Sequence, residues 1–200
     1  MGVSAELWTH ASLLEFWRLI WALVFFHSSE FVLALVIHGR HNVSWRSFLI
    51  SRQYIFAMIC GLLEHTFESL LLPALKHTYW MSNTGLALVI LGEVIRKLAI
   101  LTAYDGFTHD IKFYHREGHE LVTHGIYRFM RHPGYAGFFM WSIGTQLMLC
   151  NPLCTLGYAV VLWRFFKDRI ATEEYFLHHF FGERYEEYSL RVPSGIPFVQ

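Results

Sequence analysis

Three long apolar stretches, at residues 17–37, 54–72 and 84–102, approach the roughly 20 residues that a bilayer-spanning helix needs. Two shorter apolar runs follow at 135–149 and 153–166. Only Cys150, Asn151 and Pro152 separate them, which predicts a helix-turn-helix hairpin passing through or nearly through the bilayer. A polar insert, 103–134, lies before the hairpin and a polar C-terminal segment after it. The pattern predicts an all-α integral membrane protein of about five transmembrane helices. It is read as a single domain over 1–200, with three spans in 1–102 and the insert, hairpin and C-terminal segment in 103–200.

The spans are interrupted by ionisable residues. The first holds His27 and Glu30, the second Glu64, His65 and Glu68, and the third Glu93, Arg96 and Lys97. A charge at membrane depth costs a few kcal/mol and faces a bundle interior or a cavity. Glu64 and Glu68 are one helical turn apart, and Glu93 can reach Arg96 or Lys97. Two readings stand: pairs that hold helices together, or the lining of a polar pocket.

Composition supports the membrane class. Hydrophobic residues make up 54% of the chain and charged residues only 16%, against roughly a quarter charged in soluble domains. The net charge is zero and no basic stripe is present, which argues against nucleic acid as a partner. Cys60, Cys150 and Cys154 form neither a disulfide framework nor a metal box. The first sixteen residues contain Glu6 and Glu15 and no lysine or arginine, so no cleavable signal is expected. The ending Ile-Pro-Phe-Val-Gln is no prenylation box.

With five crossings, Arg40, Arg46, Arg52, Lys112, Arg116, Arg128, Arg131, Lys167, Arg169, Arg184 and Arg191 fall on one side. The other side receives only Lys76, with Arg18 at a boundary. The positive-inside rule then puts the insert and C-terminus in the cytosol and the N-terminus in a lumen or outside.

Two stretches are candidates for chemistry. In the first, 119–135, Pro133 suits the first turn of a helix and His132 suits the entry position before it. The N–H groups of Gly134 and Tyr135 would then be free at the cytosolic surface, a setting that favours an anion or a carboxylate. The alternative is a basic boundary with Arg128 and Arg131 near lipid phosphates. In the second, Arg169 and Glu173 lie four residues apart on one helix face, where they can form an ordinary ion pair. Residues 175–188 resemble an amphipathic helix lying against the membrane or the hairpin.

The motifs Leu-Val-Thr-x-Gly-x-Tyr, Arg-His-Pro-x-Tyr, Gly-Thr-Gln-x-Met-Leu-Cys-Asn-Pro, Trp-Arg-Phe-Phe and Arg-Val-Pro-Ser-Gly-x-Pro-Phe occur in this order between Leu121 and Phe198. Together with Phe26-His27, Ser29-Glu30, Gly92-Glu93 and Arg96-Lys97 they resemble the isoprenylcysteine carboxyl methyltransferase family. Any one motif is weak, since Arg-His-Pro-x-Tyr recurs in phospholipid and bacterial methyltransferases and in some sterol reductases. The ordered set covers nearly the whole chain and is densest from Leu91 onward. The short five-span form is similar to the plant members, without the extra N-terminal helices of animal ones.

The resemblance implies methyl transfer from S-adenosylmethionine, leaving S-adenosylhomocysteine, to the C-terminal α-carboxylate of S-prenylated cysteine. The partners implied are the farnesyl or geranylgeranyl cysteine ends of CaaX proteins such as small GTPases, together with membrane lipid. The site implied is cytosolic, formed by the insert and C-terminal segment of a multi-pass endoplasmic reticulum protein. Residue by residue, the donor would be held by His119, Glu120, Leu121, Val122, Tyr127, His132, Pro133, Gly134, Tyr135 and Glu173. Arg169 would receive the substrate carboxylate, making Arg169 and Glu173 the catalytic candidates. Lys112 stands where animal members have glutamine, which leaves its part in donor binding open.

The chemistry implied is undemanding, because a C-terminal carboxylate with a pKa near 3.5 is already a nucleophile at neutral pH. No Gly-x-Gly-x-x-Gly fingerprint is present, so this is no soluble Rossmann-type enzyme. The alternatives are a related membrane methyltransferase acting on a phospholipid or other lipid-linked acceptor, an NADPH-dependent sterol reductase, and a non-enzymatic prenyl-protein scaffold.

Overall fold

The computed structural model describes residues 10–43, 45–114 and 120–199. Among them all regular structure is helical: α1 (His10–His38), α2 (Arg52–Leu71), α3 (Pro73–Lys76), α4 (Tyr79–Ala103), α5 (Pro133–Met148), α6 (Pro152–Phe181) and α7 (Glu183–Arg191). Two of these, α1 and α2, are long and apolar enough to cross a membrane by length and composition. Large apolar side chains such as Trp21, Val36, Phe56 and Phe67 point outward from both, as lipid-facing residues would. The apolar run of helix α4 is interrupted by Glu93, Arg96 and Lys97. Helix α5, with 16 residues, spans only about 24 Å at 1.5 Å per residue.

The chain forms two compact units, Met1–Ile90 with Trp141–Ala159, and Leu91–Met140 with Val160–Gln200. Helices α4, α5 and α6 contribute a stretch to each.

In the first unit, Ser51 caps α2 by accepting from the Tyr54 N–H at 3.1 Å, and Pro73 ends it. The turn between α5 and α6 is the predicted one at Cys150-Asn151-Pro152, and it is held from below by a buried lysine. Lys76 Nζ donates to Glu68 Oε2 and the Leu149 carbonyl at 2.8 Å each. It also reaches the Cys150 carbonyl and Asn151 Oδ1, both at 3.1 Å. Cys150 adopts φ +54°, a conformation costly for a residue with a Cβ, and the surrounding bonds fix it there. Glu64 caps α6, accepting from Leu153 N–H at 2.8 Å and Cys154 N–H at 2.7 Å. Glu64 and Glu68 are therefore structural, the first of the two readings left open for them.

Helices α4 and α5 approach closely in this unit. A Cβ at Gly144 would lie 2.8 Å from Val89 N and 2.9 Å from the Gly85 carbonyl. Trp141 is fully buried and stacks on Phe26 at 4.3 Å. Both residues serve plain helix packing.

In the second unit, Ala136, Phe166, Ile170, Ile196 and Val199 form the core. The C-terminal strap returns to the start of α5, where Arg131 N–H donates to the Pro193 carbonyl and His132 N–H to the Ser194 carbonyl, both at 2.9 Å. Glu93 pairs with Lys97 at 3.3 Å, leaving Arg96 to donate to the Gly134 carbonyl at 2.9 Å. The segment 175–188, expected as one amphipathic helix, is divided instead. Helix α6 runs on to Phe181, and Gly182 at φ +54° turns the chain into α7, a backbone angle that glycine adopts without steric cost.

Candidate functional site

The N-terminus of α5 organises the charged residues of the second unit. Pro133 begins the helix as expected, and His132 is its entry residue. The His132 carbonyl accepts from Tyr135 N–H at 3.1 Å and Ala136 N–H at 3.0 Å. The Tyr135 N–H, expected to be free for an anion, is thus used within the first turn, which closes with an i to i+3 bond.

Two carboxylates on α6 face this helix start. Glu174 receives Arg131 Nε and Nη2 at 2.8 Å each and His132 Nε2 at 2.9 Å. Arg131 also donates through Nη1 to the Ser189 carbonyl at 2.9 Å and to the Val192 carbonyl. Arg131 is therefore buried and ties α6, the end of α7 and the C-terminal strap together, and is not placed at lipid phosphates. Burial alone would raise the Glu174 carboxyl, but the bonds and charges of His132 and Arg131 outweigh it and hold it at about 2.

Glu173 is more open, with 28% of its side chain exposed. Its Oε2 accepts from the Tyr135 hydroxyl at 2.5 Å and lies 3.7 Å from His132 Nδ1. Arg169 donates from Nε to the same Tyr135 hydroxyl at 2.9 Å and from Nη2 to the His109 carbonyl at 2.5 Å. Tyr135 therefore bridges Arg169 and Glu173, in place of the direct ion pair that their spacing suggests. The Tyr135 ring stacks with that of His132 at 5.5 Å and that of Phe166 at 5.1 Å.

Of the predicted site residues, the structure joins Tyr135, Arg169 and Glu173 in one hydrogen-bonded network, with His132 Nδ1 3.7 Å from Glu173 and Pro133 and Gly134 on the helix that carries it. Tyr127 stands apart from that network: its hydroxyl reaches the Ala99 carbonyl at 3.4 Å and its carbonyl receives the Tyr188 hydroxyl at 2.7 Å. Burial raises both phenols, that of Tyr188 to about 12, so both remain neutral donors. Glu120 is exposed and Leu121 and Val122 are half-buried. Lys112 is half-buried on the segment after α4. His119 lies outside the described residues. Sequence reasoning missed the positioning roles of Arg131, Glu174, Arg96 and the strap. The adjacency of Glu174 to Glu173 and of Arg131 to His132 was the available signal.

The half-open Glu173 carboxylate lies beside the rings of His132 and Tyr135.

Comparison with known proteins shows the family of the chain. The isoprenylcysteine carboxyl methyltransferase family profile matches residues 85–179. A probable protein-S-isoprenylcysteine O-methyltransferase of Oryza sativa subsp. indica is 54% identical over 200 residues, covering all of both chains. Protein-S-isoprenylcysteine O-methyltransferase A of Arabidopsis thaliana is 52% identical, over 97% of this chain and 98% of its own. The Homo sapiens protein-S-isoprenylcysteine O-methyltransferase is 44% identical over this whole chain and 69% of its own. A solved eukaryotic intramembrane Ras methyltransferase superposes with a TM-score of 0.91 at 42% identity, over 98% of this chain and 70% of that one. These relatives do not favour the phospholipid alternative.

Proposed function

The chain belongs to the isoprenylcysteine carboxyl methyltransferase family, and from that premise we propose that it methylates the C-terminal α-carboxylate of S-prenylated cysteine, with S-adenosylmethionine as donor. The observation that carries the reading is the Arg169–Tyr135–Glu173 bridge, which sets a cation with open donors beside a half-open carboxylate. Arg169 receives the acceptor carboxylate, a group that guanidinium holds in a fixed orientation. Glu173, His132, Pro133, Gly134 and the ring and backbone of Tyr135 hold the donor, with Glu120, Leu121, Val122 and Tyr127 completing its site. Lys112 and His119 are assigned to the same site by resemblance alone.

The donor supplies an electrophilic methyl on a sulfonium and ends as the neutral thioether of S-adenosylhomocysteine. Arg169 has only to orient one carboxylate oxygen in line, since that oxygen is ionised at neutral pH and no proton need be removed. Alignment of this kind supplies much of the rate for a step between bound partners. Exclusion of water does not penalise the reaction, because opposite charges vanish together as the methyl moves.

The membrane location suits the acceptor. A farnesyl or geranylgeranyl chain gains about 0.8 kcal/mol per buried CH₂ by staying in lipid. We place the protein in the endoplasmic reticulum membrane as a multi-pass chain, with a lumenal N-terminus and a cytosolic site, and its partners among prenylated CaaX proteins such as small GTPases. Tritiated methyl transfer to a farnesylcysteine analogue by purified protein tests the reading. Transfer to farnesylcysteine and none to its unprenylated counterpart is expected, and equal activity on both would overturn it.

A further inference from the structure

Oppositely charged residues four apart on a helix meet each other by default. Arg169 and Glu173 on α6 meet a third group instead, the hydroxyl of Tyr135 from α5. We propose that Tyr135 is a positioning residue of the acceptor site: its hydroxyl keeps Glu173 off Arg169 and so leaves the outer edge of the guanidinium for the substrate carboxylate. This rests on the methyl-transfer reading above and deepens it.

The geometry follows from the donor inventory. A guanidinium carries five N–H donors in one plane, arranged as an inner edge of Nε and Nη2 and an outer edge of Nη1 and Nη2. In Arg169 the inner edge is occupied, by the Tyr135 hydroxyl at 2.9 Å and the His109 carbonyl at 2.5 Å. The outer edge is the one that can grip a carboxylate through two parallel bonds. The plane is held as well, with the guanidinium carbon 5.3 Å from the Tyr135 ring centre and 6.0 Å from that of Phe165.

Tyr135 has one hydroxyl proton, and it goes to Glu173 Oε2 at 2.5 Å. The direction of the chain is therefore fixed, from Arg169 N–H to the hydroxyl and from the hydroxyl to the carboxylate, and each bond strengthens the other. Without the hydroxyl, Glu173 is free to swing one turn along α6 and pair directly with Arg169. An internal carboxylate would then compete with the acceptor's carboxylate for the same cation. Stacking with the rings of His132 and Phe166 holds the Tyr135 ring, and with it the hydroxyl, in place.

The test is Tyr135→Phe, which removes the hydroxyl alone, paired with Tyr135→Phe/Glu173→Gln, which also removes the competing charge. Steady-state methyl transfer to farnesylcysteine gives the acceptor KM at saturating donor, and calorimetry with S-adenosylhomocysteine gives the donor-site Kd. Tyr135→Phe is expected to raise the acceptor KM about tenfold while leaving the S-adenosylhomocysteine Kd within about twofold of wild type. The double variant is expected to bring the acceptor KM back to within about threefold of Glu173→Gln alone, a recovery that lost packing would not give. An unchanged acceptor KM in Tyr135→Phe overturns the proposal. So does a raised KM that the second substitution fails to recover, and so does loss of S-adenosylhomocysteine binding, which would put the hydroxyl in the donor site. A wild-type chain inactive on farnesylcysteine would instead sink the methyl-transfer reading itself, and this one with it.

Discussion

The two ends of α5 each gather buried charges, and they use them oppositely. At the C-terminal end, Lys76 is fully buried and every group around it has an internal partner: Glu68, two backbone carbonyls and Asn151. At the N-terminal end, Arg131 and Glu174 are closed in the same way, yet Glu173 keeps 28% of its side chain open and Arg169 bonds through Nε and Nη2 alone among the described residues. The residue types are alike at both ends. What separates a clamp from a site is whether the donors and acceptors are exhausted within the protein.

Breaking the clamp has the largest expected effect on the fold. Lys76→Met strands the Glu68 carboxylate and the carbonyls of the turn, and removing one member of a buried pair costs about 3–5 kcal/mol. Thermal unfolding in detergent checks this, and a Tm close to wild type would show that the turn needs no cation.

A smaller effect sharpens the comparison from the other end. The Glu174 carboxyl is depressed from 4.5 to about 2, so the stability it contributes is present above pH 4.5 and lost as pH falls toward 2. The loss is on the order of 3 kcal/mol for a shift of this size. Denaturation followed across that window should show the decline in wild type, and Glu174→Gln should remove most of the slope. An equal slope in both would assign the pH dependence to other groups.

The sequence showed the helices well where an apolar run coincides with a turn signal. The stretch 54–72 became Arg52–Leu71, and the hairpin turned at Asn151-Pro152 as its residues suggested. It showed the end of α6 poorly, because residues 167–181 are polar and aromatic and stay helical through contacts with distant segments. The site was legible as a set of residues, since Arg-His-Pro-x-Tyr and the Arg169–Glu173 spacing lie within short windows. Its wiring was not. Arg131 meets Glu174 across 43 positions, and Tyr135 meets Glu173 across 38. Pair spacing on one helix argued for a direct Arg169–Glu173 contact, and only the packing of α5 on α6 inserts a phenol between them.

In the proposed mechanism the open network performs the chemistry while the closed one holds the fold. It is tested most directly by initial rates of tritiated methyl transfer to farnesylcysteine, per folded molecule, in Arg169→Ala and Lys76→Met side by side. Lys76→Met should keep its rate per folded molecule. Arg169→Ala should lose about a thousandfold or more, as expected when the group orienting a reactant is removed, while still binding S-adenosylhomocysteine. Equal losses in the two variants, or a rate retained by Arg169→Ala, would contradict it.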